Sequence, residues 1–118
     1  MSKAALIILA DTDTLEGLGR AVNALTTAKD FRDAGEEALI VFDGAGTKWV
    51  AELSDPEHDY HQLFEDTLQL VEGACGYCSS AFGVREQVEQ SPVALLEEYE
   101  GHPSLRRLIS DGYEVVTF

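Results

Sequence analysis

Residues Ala4 to Ala10 are apolar without interruption, and the run ends at Asp11. Seven residues are the length of a β-strand and far short of a membrane span. Because the run is apolar on both of its faces, it reads as a central strand of a parallel sheet covered on each side. Whatever follows must therefore supply helices to both faces.

The chain meets that requirement. Asp13 or Thr14 is placed to cap the next helix, with Glu16 in position for a capping box on Asp13, and Leu18, Ala21, Val22, Leu25 and Ala28 form its buried stripe. Gly35 stops this helix. Ala38 to Phe42 reads as a second strand, Thr47 to Leu53 as a short helix ended by Pro56, and Tyr60 to Val71 as a third helix closed by Gly73. Ala74 to Tyr77 reads as a short strand or strand end, and Ser79 to Val88 as a helix. Val93 to Leu96 is a fourth strand candidate, and Pro103 opens a helix carrying Leu105, Leu108 and Ile109. Gly112 ends that helix before a last strand, Tyr113 to Phe118. Alternating strands and helices in 118 residues imply a single α/β domain, residues 1–118, built on one parallel sheet.

Charge narrows the function classes. Twenty-two acidic against eight basic side chains give a formal charge of -14, a field that repels phosphate backbones, so nucleic acid is not an expected partner. With 45% hydrophobic residues the acidity lies over a foldable core, as also expected of a halophilic protein kept soluble in concentrated salt. The opening MSKAALIILA has one Lys and no small-residue cleavage site, which predicts a cytoplasmic protein with no membrane partner. Two cysteines do not make a disulfide scaffold, and in a reducing cytosol both are expected as free thiols.

In a parallel α/β sheet, ligands bind beyond the carboxyl ends of the strands, where the strand order reverses. The loops to inspect are 11–14, 43–47 and 75–80. The first lacks a glycine-rich run and places Asp11 and Asp13 where a nucleotide or flavin phosphate would sit, so neither cofactor is expected. Asp11, Asp13 and Asp43 suit turn and helix caps better than a magnesium site, since the third strand adds no Asp and no Lys follows the later strands.

The third loop lies in GACGYCSSAFG, residues 73–83, which holds both cysteines. His58, His61, Cys75 and Cys78 offer the four ligands of a zinc site, but a helix from Tyr60 to Val71 would carry the chain about 18 Å away from the histidines. No metal is expected. A cysteine at a strand-to-helix junction faces unpaired amides that favour its thiolate, and Gly73 and Gly76 leave room for a substrate to approach. Against this, no cationic residue lies closer in sequence than Arg85. A functional thiol and a packing thiol both remain open on the residues alone.

The segment CGYCSSAFGV, in a small α/β domain with a strand near residue 4 and another at the last residues, resembles the DsrE-like (DsrE/DsrF) sulfur-relay family. Members commonly carry a cysteine about eight residues before a glycine in this loop and helix, and Cys75 and Gly83 match that position. The resemblance implies a flavodoxin-like three-layer sandwich with a mostly parallel sheet of about five strands, and assembly into homotrimers or hexamers. It also implies transfer of sulfane sulfur between donor and acceptor proteins as a persulfide on Cys75, with Cys78 as second thiol and no cofactor. The poorly marked third strand and the helical stretch from Tyr60 to Val71 depart from the family pattern.

Two other readings compete. A CxxC thiol-disulfide oxidoreductase would ordinarily carry its motif near the first helix, not beyond residue 70. An oligomeric scaffold or small-ligand module with packing cysteines could use Trp49, Tyr60, Phe64, Tyr77 and Phe82 as an interface, although aromatics at these spacings are more often core.

Overall fold

The computed structural model describes residues 1–118. The strands are β1 (Lys3–Ile8), β2 (Glu37–Phe42), β3 (Val71–Cys75), β4 (Leu95–Leu96) and β5 (Glu114–Thr117), and the helices are α1 (Leu15–Asp33), α2 (Lys48–Ser54), α3 (His61–Thr67), α4 (Gly76–Ala81), α5 (Arg85–Glu89) and α6 (Leu105–Ser110). All strand pairs are parallel, in the order β4-β3-β2-β1-β5. The result is the expected three-layer α/β sandwich of flavodoxin-like layering on a five-stranded sheet.

The strand order dictates the layers. From β1 to β4 every connection steps in one direction, and right-handed crossovers then put their helices on the same face. The return from β4 to β5 runs the other way and leaves α6 on the opposite face. Burial follows this asymmetry. Ala4, Leu6 and Ile8 of β1 and Ala38, Ile40 and Phe42 of β2 join Ala21, Leu25, Trp49, Val50, Phe64 and Val88 in a cluster of 17 buried residues. On the other face Ala5, Ile7 and Val41 meet Leu108 of α6 in a cluster of four. Alternate residues of β1 thus enter different cores, which is why the opening run has no polar position.

Local chemistry sets the ends of α1. Thr14 is its cap, its hydroxyl accepting from the Gly17 amide at 2.9 Å, while Asp13 is exposed and makes no capping bond. Gly35, at φ 75°, turns the chain out of the helix in the left-handed region that glycine adopts without strain. The buried stripe runs through Gly17, Ala21, Ala24, Leu25 and Ala28, with Leu18 and Val22 only partly covered. Trp49 of α2 is almost wholly enclosed, and its indole N–H donates to the Ala10 carbonyl at 2.8 Å, fixing α2 to the end of β1. Phe64 of α3 packs edge-on against Phe42.

Several boundaries differ from the periodic pattern. The third helix stops at Thr67 and continues as a 3-10 turn, Leu68–Leu70; Val71 and Gly73 belong to β3. Gly73 therefore closes no helix. The stretch from Ser79 to Val88 is two helices, α4 and α5, because Gly83 at φ 72° breaks the chain between them. Tyr77 lies in α4, and Val93 and Ala94 precede the two-residue β4. Ser104, not Pro103, caps α6 by accepting from the Arg107 amide, and Ile109 faces solvent while Leu108 faces the sheet. No helix is long and apolar enough to cross a membrane.

Candidate thiol site

Because the chain leaves β3 into α4 on one face and leaves β4 toward α6 on the other, the crevice of this sheet opens between the carboxyl ends of β3 and β4. That is the position where open α/β sheets bind ligands. Cys75 is the last residue of β3 and pairs with Leu96, so it stands at the floor of the crevice.

The two glycines of the motif have a different role from the expected one. A Cβ on Gly73 would stand 2.6 Å from the Ala94 carbonyl oxygen and 2.6 Å from Leu96 Cγ; one on Gly76 would stand 2.5 Å from Glu97 Cγ. They admit β4 and the residue after it, and the space beside them is filled by protein. What they make possible is the close approach of the chain around β4, which brings the following loop over the thiols.

Four side chains converge there. Cys75 Sγ lies 3.3 Å from His102 Nδ1, and the Cys78 S–H donates to Asp43 Oδ1 at 3.5 Å. One donor atom from each of Asp43, Cys75, Cys78 and His102 lies within 4.8 Å of all the others. The backbone holds each in place. Asp43 follows β2 and caps the next turn by accepting from the Gly44 amide at 2.8 Å, so the expected capping role is real and is combined with contact to a thiol. Cys75 caps α4, its sulfur accepting from the Cys78 amide at 3.3 Å. His102 is pinned by paired backbone bonds with Tyr99 and stacks on Tyr77 at 4.6 Å between ring centroids. The Tyr77 amide donates to the Gly101 carbonyl at 2.8 Å, tying α4 to the loop that carries His102.

The thiols are unequal, and neither is bridged to the other. Cys75 is completely buried, and Cys78 is half-buried. Burial pushes the Cys75 thiol up to about 12, against the opposing Cys78 amide and with a further upward push from the Asp43 carboxylate and the Cys78 side chain. The expectation of an amide-facing sulfur is met, but the expectation that those amides win is not: with 0% of its surface in water, desolvation of the anion outweighs one N–H···S bond.

The other residues singled out from the sequence lie elsewhere. His58 Nδ1 accepts from the Tyr60 amide at 3.0 Å; His61 Nδ1 is 2.7 Å from the Leu53 carbonyl and its Nε2 is 3.2 Å from Glu65. Neither histidine joins the thiols. Asp11 pairs with Lys48 at 2.6 Å, and that ammonium together with the Thr12 amide lowers its pKa. Arg85 is taken up by Glu97 at 3.1 Å and by Ser80. Trp49 and Phe64 are core, whereas Tyr77 and Phe82 are exposed.

His102 is the site residue that sequence reasoning missed. The loop after the fourth strand was not among those inspected, although the rule that selected the other three applies to it equally.

Among known proteins, the chain is similar to an uncharacterized protein of Methanocaldococcus jannaschii, 25% identical over 95 residues that make up 80% of this chain and 77% of that one. No family model matches the chain, and no solved structure does.

Proposed function

We propose that this protein carries sulfane sulfur as a cysteine persulfide, as the resemblance to the DsrE-like family implies, but takes it up on Cys78 rather than on Cys75, which helps to discharge it. The observation that supports it is the unequal pair of thiols in the switch-point crevice: Cys78 is half-buried, and Cys75 is fully buried with an imidazole 3.3 Å from its sulfur. The burial of Cys75 exchanges the two roles relative to the family pattern.

In the loading step the Cys78 thiolate attacks the terminal sulfur of a donor persulfide. A new S–S bond forms on Cys78, the donor S–S bond breaks, and its electron pair leaves as the donor thiolate. Delivery is the same exchange run toward an acceptor thiol. In a second outcome, Cys75 attacks the Cys78 sulfur as His102 Nδ1 takes the Cys75 proton; a Cys75–Cys78 disulfide forms and hydrosulfide leaves. Two equivalents of an external thiol then reduce the disulfide, leaving as their own disulfide, before another cycle. A reducing cytoplasm, where free thiols persist, is the compartment that suits this cycle. Donor and acceptor proteins and self-assembly as a trimer or hexamer belong to the same reading, with exposed Tyr77, Phe82 and Tyr99 offering aromatic contact area.

Intact-mass measurement after incubation of the reduced protein with glutathione persulfide tests the proposal. A gain of one sulfur atom on Cys75→Ser, which cannot expel it, is expected, with none on Cys78→Ser. An unmodified Cys75→Ser chain beside a sulfur carrier that does load would overturn it.

A further inference from the structure

The crevice holds more than two thiols need. A persulfide carrier requires neither a carboxylate on one sulfur nor an imidazole on the other, yet Asp43 and His102 reach the pair from two additional loops. Asp43 makes no ion pair in the structure, and no Lys or Arg side chain bonds to either sulfur. One carboxylate, one imidazole and two thiols face one another without a cation.

We propose that Asp43, Cys75, Cys78 and His102 form a tetrahedral binding site for a zinc ion, through Asp43 Oδ1, Cys75 Sγ, Cys78 Sγ and His102 Nδ1. Zinc takes two thiolates at about 2.3 Å and nitrogen or oxygen ligands at about 2.0–2.2 Å, so the ligand atoms of a tetrahedral site stand roughly 3.4–3.8 Å apart. Of the two pairs measured directly, Cys78 with Asp43 at 3.5 Å has that spacing, and Cys75 with His102 at 3.3 Å is just short of it. No pair among the four exceeds 4.8 Å, so closing on an ion needs shifts on the order of 1 Å or less.

The donor set selects the metal class. Two sulfurs, one imidazole and one carboxylate suit borderline-soft, tetrahedral zinc, whereas magnesium and calcium prefer oxygen alone. The surroundings supply the orientation that zinc ligands ordinarily receive from their neighbours. The Cys78 amide donates to Cys75 Sγ, the Gly44 amide donates to the same Asp43 oxygen, and the Tyr77 ring stacks on the His102 imidazole. The CxxC spacing lets a strand end and the first turn of a helix give two ligands to one ion, and the loop after β4 closes the set.

The site goes beyond the sulfur reading and does not depend on it. The two are coupled, because an ion held by both sulfurs leaves no thiolate free for a donor persulfide. Zinc-loaded protein should then take up sulfane sulfur only after the metal is removed.

Titration of the reduced full-length protein with cobalt(II), then displacement by zinc(II), tests the site without any sulfur donor. One equivalent should bind, with thiolate-to-cobalt charge-transfer absorption and the intense visible bands of tetrahedral cobalt. Asp43→Asn, which keeps an oxygen for the Gly44 amide, and His102→Ala should each weaken binding by at least ~10-fold, the scale on which even outer-shell changes act. His58→Ala should leave it unchanged. Absence of the charge-transfer absorption, or binding insensitive to both Asp43→Asn and His102→Ala, would overturn the proposal. Failure of persulfide loading in metal-free protein would count against the sulfur reading alone.

Discussion

With Cys78→Ser in place, Cys75 is the sole thiol, and its burial should make it nearly inert to alkylation in the folded protein. In the wild type this thiol is pushed from an ordinary value of 9.0 to about 12, chiefly by burial, and the variant removes only the smaller upward push of the Cys78 side chain. At pH 8 a thiol at 9.0 is about one-tenth thiolate, and one at about 12 is about one ten-thousandth thiolate. Since the thiolate is the reacting form and burial is the largest cause of the shift, iodoacetamide should modify Cys75 up to about 1000-fold more slowly in the folded chain than in the same chain unfolded in urea. Steric closure of the crevice adds to that factor, and local opening subtracts from it. The assay is a time course of intact mass at fixed pH, repeated from pH 7 to pH 10. The linkage has a definite sign: above about pH 9 the unfolded chain releases this proton and the folded chain keeps it, so stability should fall as pH rises toward 12. Equal rates of alkylation in the folded and unfolded chains would refute the burial reasoning.

Four further outcomes follow from packing and charge. In Gly46→Ala the new Cβ would lie 1.9 Å from the Ile8 carbonyl oxygen, which is backbone and cannot swing away; a loss of about 1–3 kcal/mol or more is expected in a denaturant melt. Gly19→Ala, with nothing within 4 Å of its Cβ and a position inside α1, should instead gain up to ~1 kcal/mol in the same melt. Trp49→Phe removes the donor to Ala10 O and leaves that carbonyl without its indole partner, and a cost of about 1–3 kcal/mol is expected by urea unfolding. Arg107 lies 2.6 Å from Glu98 and 3.0 Å from Glu72, and it holds the Glu98 carboxyl below its usual range. The stability from Glu98 is present above pH 4.5 and is lost as pH falls through the lowered folded value, so wild type should show an acid-side decline in melting temperature that Arg107→Met flattens.

Much of the fold was legible because period and length carry the information. The run from Ala4 holds a covered strand that ends at Ile8, with Leu9 and Ala10 beyond it and Leu9 exposed, and the alternation of elements after it left few topologies open. The thiol segment was legible as a strand-to-helix junction at the carboxyl edge, and Asp43 as a residue at that same edge. What escaped was tertiary. Gly73 reads as a helix stop or as free space, yet its lack of a Cβ is spent on admitting Ala94 and Leu96. Val93 to Leu96 reads as a strand, but His102 stands six residues beyond β4 and is held over the thiols by its bridge to Tyr99, a placement that no local period shows. His58 and His61 attracted attention by their spacing, but His61 is spent on Leu53 and Glu65 and His58 on the Tyr60 turn. The thiol pKa was misjudged for a related reason: adjacency to amides is visible in sequence, whereas complete burial is set by strands and helices packed from afar.

The division of labour between the two thiols is tested most directly by following hydrosulfide release from protein loaded with one sulfane sulfur. Wild type should release it and end as the Cys75–Cys78 disulfide, while Cys75→Ser, lacking the inner thiol, should hold its persulfide on Cys78. Equal release from Cys75→Ser and wild type, or a sulfur adduct mapped to Cys75 in Cys78→Ser, would contradict the account.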